Sequence, residues 1–95
     1  MKRELLLTPK FKRAFRKFVK RNKRLQRRIE ETLQAMRKDV FAPELDTHKL
    51  SGKLFGNRAC SCGYDCRIIF SIEKDANTNQ EVIILLDIGT HDEVY

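Results

Sequence analysis

No long apolar run occurs in this sequence. The longest uninterrupted stretch, Val82 to Leu86, is the size of a strand, whereas a helix needs about 20 apolar residues to span a bilayer. The opening, MKRELLLTPK, has basic residues and three leucines but too short an apolar core for a secretory signal. Repeats, linkers and low-complexity tracts are also missing. These absences point to one cytoplasmic domain, residues 1–95, with no membrane contact. Cysteine is scarce and odd in number: Cys60, Cys62 and Cys66. Their C-x-C-x3-C spacing is one ligand short of a zinc site, and Cys60 and Cys62 lie two apart on a strand-like segment. The expectation is ordinary buried or half-buried thiols, with no metal and no cofactor.

Acidic residues are scarce in the first part of the chain. Residues 1–38 hold 15 Lys or Arg against 3 acids, a net of +12, while residues 39–95 carry a net of −5. A hydrophobic content of 41% excludes a disordered chain despite 35% charged residues. So many like charges in a short stretch repel one another and gain little without an anion. Nucleic acid is the commonest such partner, and the plainer alternative is a pair of helices with solvated basic faces.

Local signals order the chain as β-α-α-β-β-β. Glu4 to Leu7 reads as a strand. Thr8-Pro9 starts a helix, because threonine caps and proline suits the first helical position. Phe11, Ala14, Phe15, Phe18 and Val19 then form one apolar stripe, and Asn22 breaks it. A second stripe runs through Leu25, Ile29, Leu33 and Met36. Pro43 and Gly52 bracket a loop. Three strands follow over Leu54–Cys62, Tyr64–Glu73 and Val82–Gly89, the last two joined by a turn containing Asp75, Asn77 and Asn79. The expected fold is α+β, two N-terminal helices on one face of a small twisted antiparallel sheet. Strand parity aims Cys66, Ile68, Phe70 and Ile72 at the helices, and Asp65, Arg67, Ile69 and Ser71 at an open face. There Arg67 either pairs with a neighbour such as Asp65 or Asp87, or serves a site.

The only histidines are His48, in the loop before the sheet, and His91, where the last strand ends. With Arg67 and the terminal Tyr95, they suit metal-independent RNA cleavage if they converge. A base takes the ribose 2′-OH proton, a cation stabilises the charge growing on the phosphoryl oxygens, and an acid protonates the leaving 5′-oxygen. Histidine suits acid and base work near neutral pH, and the guanidinium fork matches phosphate oxygens. The alternative for His91 and Tyr95 is a fraying tail.

The segments HKLSGKLFGNRACSCGYDCRIIFSI and ILLDIGTHDEVY resemble the RelE/ParE superfamily of type II toxins, most closely the RelE- and YafQ-like mRNA interferases. The resemblance covers nearly the whole chain through H-x-L-x-G-x-L-x-G, RIIF and GTHDEVY. It implies a RelE-like microbial RNase fold and an endoribonuclease that cuts mRNA, typically in the ribosomal A site. It also implies a cognate antitoxin, with mRNA and ribosomal RNA as further partners. On matching positions, His48 is the base, Arg67 the phosphate stabiliser, His91 the C-terminal catalytic histidine and Tyr95 the closing aromatic. Lys53, Arg58 and Asp65 fall where relatives contact RNA or hold a site aspartate. Two positions depart: Ser61 and Cys66 stand where YafQ-like chains have a histidine and a tryptophan. The alternatives are a ParE-like DNA gyrase inhibitor, which generally lacks the paired histidines and final tyrosine, or a catalytically inactive relative that binds RNA or antitoxin.

Overall fold

The structure is a computed structural model that describes residues 3–95. Met1 and Lys2, part of the opening basic stretch, lie outside the described residues. Strand β1 (Glu4–Leu7) runs straight into helix α1 (Pro9–Phe18). Thr8 makes that junction: its Oγ1 accepts the Phe11 N–H at 3.2 Å and donates to the Leu85 carbonyl at 2.7 Å. Asn22 then caps helix α2 (Lys23–Lys38), its Oδ1 accepting the Leu25 N–H at 3.0 Å. Both caps follow from short polar side chains that satisfy orphan N–H groups of the first turn.

The loop expected between Pro43 and Gly52 holds a 3-10 turn at Pro43–Leu45 and the two-residue strand β2 (His48–Lys49), and a second 3-10 turn at Gly52–Leu54 occupies the start of the strand expected over Leu54–Cys62. Strand β3 (Arg58–Gly63) therefore starts four residues later than the pattern suggested, because Gly52 (φ +67) and Gly56 (φ +94) bend the chain first. Strands β4 (Cys66–Lys74) and β5 (Glu81–Gly89) follow. Their connecting turn is held by Asp75 Oδ1, which accepts the N–H groups of Asn77 and Thr78.

The sheet order is β1-β5-β4-β3-β2. β2 to β5 pair antiparallel as expected, but β1 runs parallel to β5, Leu5 opposite Ile83 and Leu7 opposite Leu85. A parallel pair needs a long crossover, and the helices and the meander between β1 and β5 supply it. The helices cover one face, where Phe11, Ile29, Met36, Ile68, Phe70, Ile83 and Leu85 are fully buried. A bulge opposite Ile69 and Phe70 inserts Leu86 into β5. It shifts the alternation by one, so that Ile88 joins the same core as Ile83 and Leu85.

Two expectations need correction. The face away from the helices is not open throughout, since Ala59, Ile69 and Ser71 are buried on it and Arg67 is half-buried. Nor are all three cysteines thiols: Cys62 and Cys66 form a disulfide, with Cα atoms 5.0 Å apart. The β3–β4 hairpin is the reason. It sets Gly63 opposite Cys66 and turns Cys62 toward the same buried side, within bridging range. Cys60 remains a buried thiol. No helix among the described residues is long and apolar enough to cross a membrane.

Candidate active site

The last residues form a capped helical turn in place of the expected strand tail. Strand β5 stops at Gly89, and Thr90 opens a one-turn helix, α3 (His91–Val94), where the sequence reads as a strand tail. Thr90 and Glu93 form a reciprocal capping box: Thr90 Oγ1 accepts the Glu93 N–H at 3.3 Å, and Glu93 Oε1 accepts the Thr90 N–H at 2.9 Å. The turn places His91 and Tyr95 four residues apart on one side. Their rings meet edge to face, with centroids 4.5 Å apart.

Asp65 ties this turn to the sheet. It sits in the β3–β4 turn with φ +51, and its Oδ1 accepts the His91 backbone N–H at 3.0 Å. Arg67 lies beside it on β4, between Ser61 of β3 and Gly89 of β5. Its Nη1 donates to the Cys66 carbonyl (2.9 Å), the Gly63 carbonyl (3.2 Å) and the Ser61 hydroxyl (3.4 Å). It makes no ion pair with Asp65 or Asp87 among the described residues, and Asp87 instead lies 3.6 Å from Lys10 Nζ. The rest of the guanidinium keeps donors free for a ligand.

Tyr95 links the His91 ring to a neighbouring cleft. Its hydroxyl is held above the ordinary phenol range by burial, and the nearby Arg67 charge works against that shift. The phenol therefore stays protonated and able to donate at neutral pH. Tyr95 also lines a cleft of about 510 Å³ with His48, Lys49, Leu50, Ser51, Lys53 and Leu54. His48 is exposed on β2, and its Nδ1 lies 3.0 Å from the Asp46 carbonyl. A carbonyl only accepts, so that contact puts the hydrogen on Nδ1 and leaves Nε2 as a proton acceptor.

The structure thus places His48 and Lys53 in one cleft with Tyr95, the His91 ring against the Tyr95 ring and Asp65 on the His91 backbone, while Arg67 sits opposite Gly89, where β5 ends. Arg58 is placed elsewhere: its guanidinium stacks 5.6 Å from the Phe41 ring, which Arg3 flanks from 5.7 Å. Sequence reasoning missed Thr90 and Glu93, although T-x-x-E is a capping-box signature. It also missed the role of the turn around Gly63. Gly63 adopts φ +135, and a Cβ there would lie 2.6 Å from Arg28 Nε, which donates to the Cys62 carbonyl at 3.2 Å. No group of three or more His, Cys, Asp or Glu among the described residues is placed to hold a metal ion.

This arrangement, two helices on a five-stranded sheet with a short C-terminal helix, superposes along nearly its whole length on solved bacterial YoeB/ParE and YafQ toxins. A YoeB/ParE toxin from Agrobacterium tumefaciens superposes with a TM-score of 0.74 over 93% of this chain and 98% of its own, at 12% identity. YafQ from Escherichia coli gives 0.77 over 98% of both chains at 10% identity. A Helicobacter pylori toxin, solved as a copper-bound mutant, gives 0.70 over 100% of both at 25% identity. No curated protein matches the sequence. The family model described as bacterial toxin of type II toxin-antitoxin system, YafQ, matches residues 3–95. The chain belongs to that family.

Proposed function

We propose that this toxin is a metal-independent endoribonuclease that cuts mRNA in the ribosomal A site and so stops translation. The observation that carries the reading is the position of Tyr95, against the His91 ring and in the cleft that His48 and Lys53 line, with Arg67 opposite Gly89 at the end of β5. His48 takes the 2′-OH proton through Nε2. The oxygen then attacks the adjacent phosphorus, and the free donors of Arg67 stabilise the charge on the phosphoryl oxygens. Protonated His91 gives its proton to the departing 5′-oxygen. Tyr95, neutral, donates to the phosphate or stacks on a base. Lys53 contacts the RNA backbone, Arg58 stays with Phe41 outside the cleft, and Asp65 holds the helical turn that carries His91. The basic faces of α1 and α2 contact ribosomal RNA through salt-sensitive phosphate interactions.

The partner that restrains the activity is a cognate antitoxin with an acidic or amphipathic segment. Escherichia coli YafQ is itself solved in complex with DinJ, and that toxin covers 99% of its length on this fold at a TM-score of 0.75. Toe-printing of an mRNA on translating ribosomes tests the enzyme. Wild type produces a new 5′ end in the A site, and His91→Ala lowers it on the order of 100-fold, the scale of a lost general acid. An unchanged cut by His91→Ala removes His91 from the chemistry. Arrest without any cut turns the reading to inhibition by binding, as for a gyrase inhibitor.

A further inference from the structure

The β3–β4 turn holds two things that the roles above leave unconnected, a covalent bridge and the anchors of Arg67. Cys62 and Cys66 close a ring around Gly63, Tyr64 and Asp65. Of the three acceptors that fix Arg67 Nη1, the Gly63 carbonyl lies within that ring, the Cys66 carbonyl extends from the Cα that closes it, and Ser61 immediately precedes it. The same ring contains Asp65, which holds the His91 N–H. Within it Asp65 holds φ +51, a left-handed conformation that a loose chain seldom visits at a non-glycine residue.

The third cysteine does not compete for the bridge. Cys60 is fully buried, with its Sγ 3.8 Å from Met36 Sδ. Burial pushes its thiol up to about 12, against the opposing charge of Arg67. A thiol exchanges as thiolate, so Cys60 is a poor attacker. The bridge opens only to an external reductant.

We propose that the Cys62–Cys66 disulfide is a redox lock on Arg67: closed, it holds the guanidinium for the scissile phosphate, and reduction releases the turn and weakens that grip. The proposal rests on the nuclease reading for its consequence, but not for its mechanism. In the opening step the S–S bond breaks, each sulfur gains one electron and one proton, and two thiols of a small or protein reductant become a disulfide. Cys62 and Cys66 are only 2% and 1% exposed, so the reductant must wait for the turn to open, and the response is slow.

The test compares oxidised protein, protein reduced with dithiothreitol and the Cys62→Ser/Cys66→Ser variant. NMR of the arginine side chains reads the anchoring directly. The oxidised chain shows a slowly rotating, protected Arg67 guanidinium, and the other two show a freely averaging one. Cleavage of RNA falls about tenfold or more on reduction, as expected when a phosphate ligand is misplaced. Circular dichroism and the pH profile of cleavage stay unchanged, and the double variant no longer responds to dithiothreitol.

The same Arg67 signals in oxidised and reduced protein overturn the lock. So does loss of helical signal on reduction, which makes the bridge a fold support, and so does purified protein that retains three thiols under mild oxidation. Equal cleavage by both forms also overturns it. If Arg67 responds to reduction but neither form cuts RNA, the lock stands and the nuclease reading fails.

Discussion

The carboxylate of Asp65 reaches across the chain to the backbone N–H of His91 at 3.0 Å, from a turn residue with φ +51. That N–H belongs to the first residue of α3 and has no partner within the helix. Asp65→Ala removes its acceptor and is expected to cost on the order of 1 kcal/mol, read by urea unfolding. Cleavage should fall with it, because the His91 ring loses its bearing. Asp65→Asn keeps an oxygen at the same place and should recover most of both; no recovery would mean that the charge itself matters at the site. Cys60 gives a second residue-scale expectation. Its thiol ionises near 12 in the fold against an ordinary value of 9.0. Between those values the unfolded chain has lost a proton that the folded chain still binds, so stability is intact below pH 9 and falls as the pH rises toward 12. The slope is at most about 1.4 kcal/mol per pH unit. Unfolding measured across that window should show a shallower decline for Cys60→Ala than for wild type, and parallel declines would rule out the thiol as their source.

The short helix α3 depends on two reciprocal bonds between Thr90 and Glu93 and on one tie to Asp65. Four residues of helix are too few to stand alone, because nucleation costs more than one turn returns. Thr90→Ala should therefore release the turn, uncouple the rings of His91 and Tyr95 and lower cleavage, while the core and the melting of the sheet change little. Deleting Tyr95 should do the same, with the fluorescence of Tyr64 as an internal reference; full cleavage by the trimmed chain would show the tail to be dispensable. What could be read from the sequence divides along the same line. The cap of Thr8, the helix start at Pro9 and the turn at Asp75 act on neighbours three residues away or fewer and were legible, whereas Asn22 was read as a break and its cap on Leu25 was not. The two amphipathic stripes were legible because helical period is a local property. The bulge at Leu86, the parallel pairing of β1 and the Cys62–Cys66 bridge depend on which distant strand lies alongside, and local pattern does not record that. The candidate site was half legible. His48, Arg67, His91 and Tyr95 were picked out as the only histidines, a mid-strand arginine and a final aromatic, and family resemblance gave them roles, whereas the capping box and the acceptors of Arg67 belong to the folded hairpin and the tail.

At the scale of the molecule, charge and site are divided between layers. The helices carry most of the positive charge, whereas the cleft beside Tyr95 lies with the sheet and its loops. A toxin that docked through its helices would hold a large RNA with one layer and cut a single phosphodiester with the other. Docking and chemistry should then separate under mutation. The start of α2 offers the place to test this, a groove of about 690 Å³ lined by Asn22, Lys23, Arg24, Leu25, Arg27, Arg28 and Glu31. Arg28 is the wrong residue to change, because it holds the Cys62 carbonyl and packs on Gly63. Arg24 and Arg27 are exposed and make no ion pair among the described residues. Each phosphate contact contributes about 0.7–0.9 to the slope of log affinity against log salt. Arg24→Gln/Arg27→Gln should therefore weaken ribosome binding at low salt and flatten that slope by about 1.5. Single-turnover cleavage at saturating ribosome should be unchanged, since Arg24 and Arg27 line the α2 groove and not the cleft that holds Tyr95. A fall in that rate with the slope intact would place the α2 groove in the chemistry and undo the division of labour between the two layers.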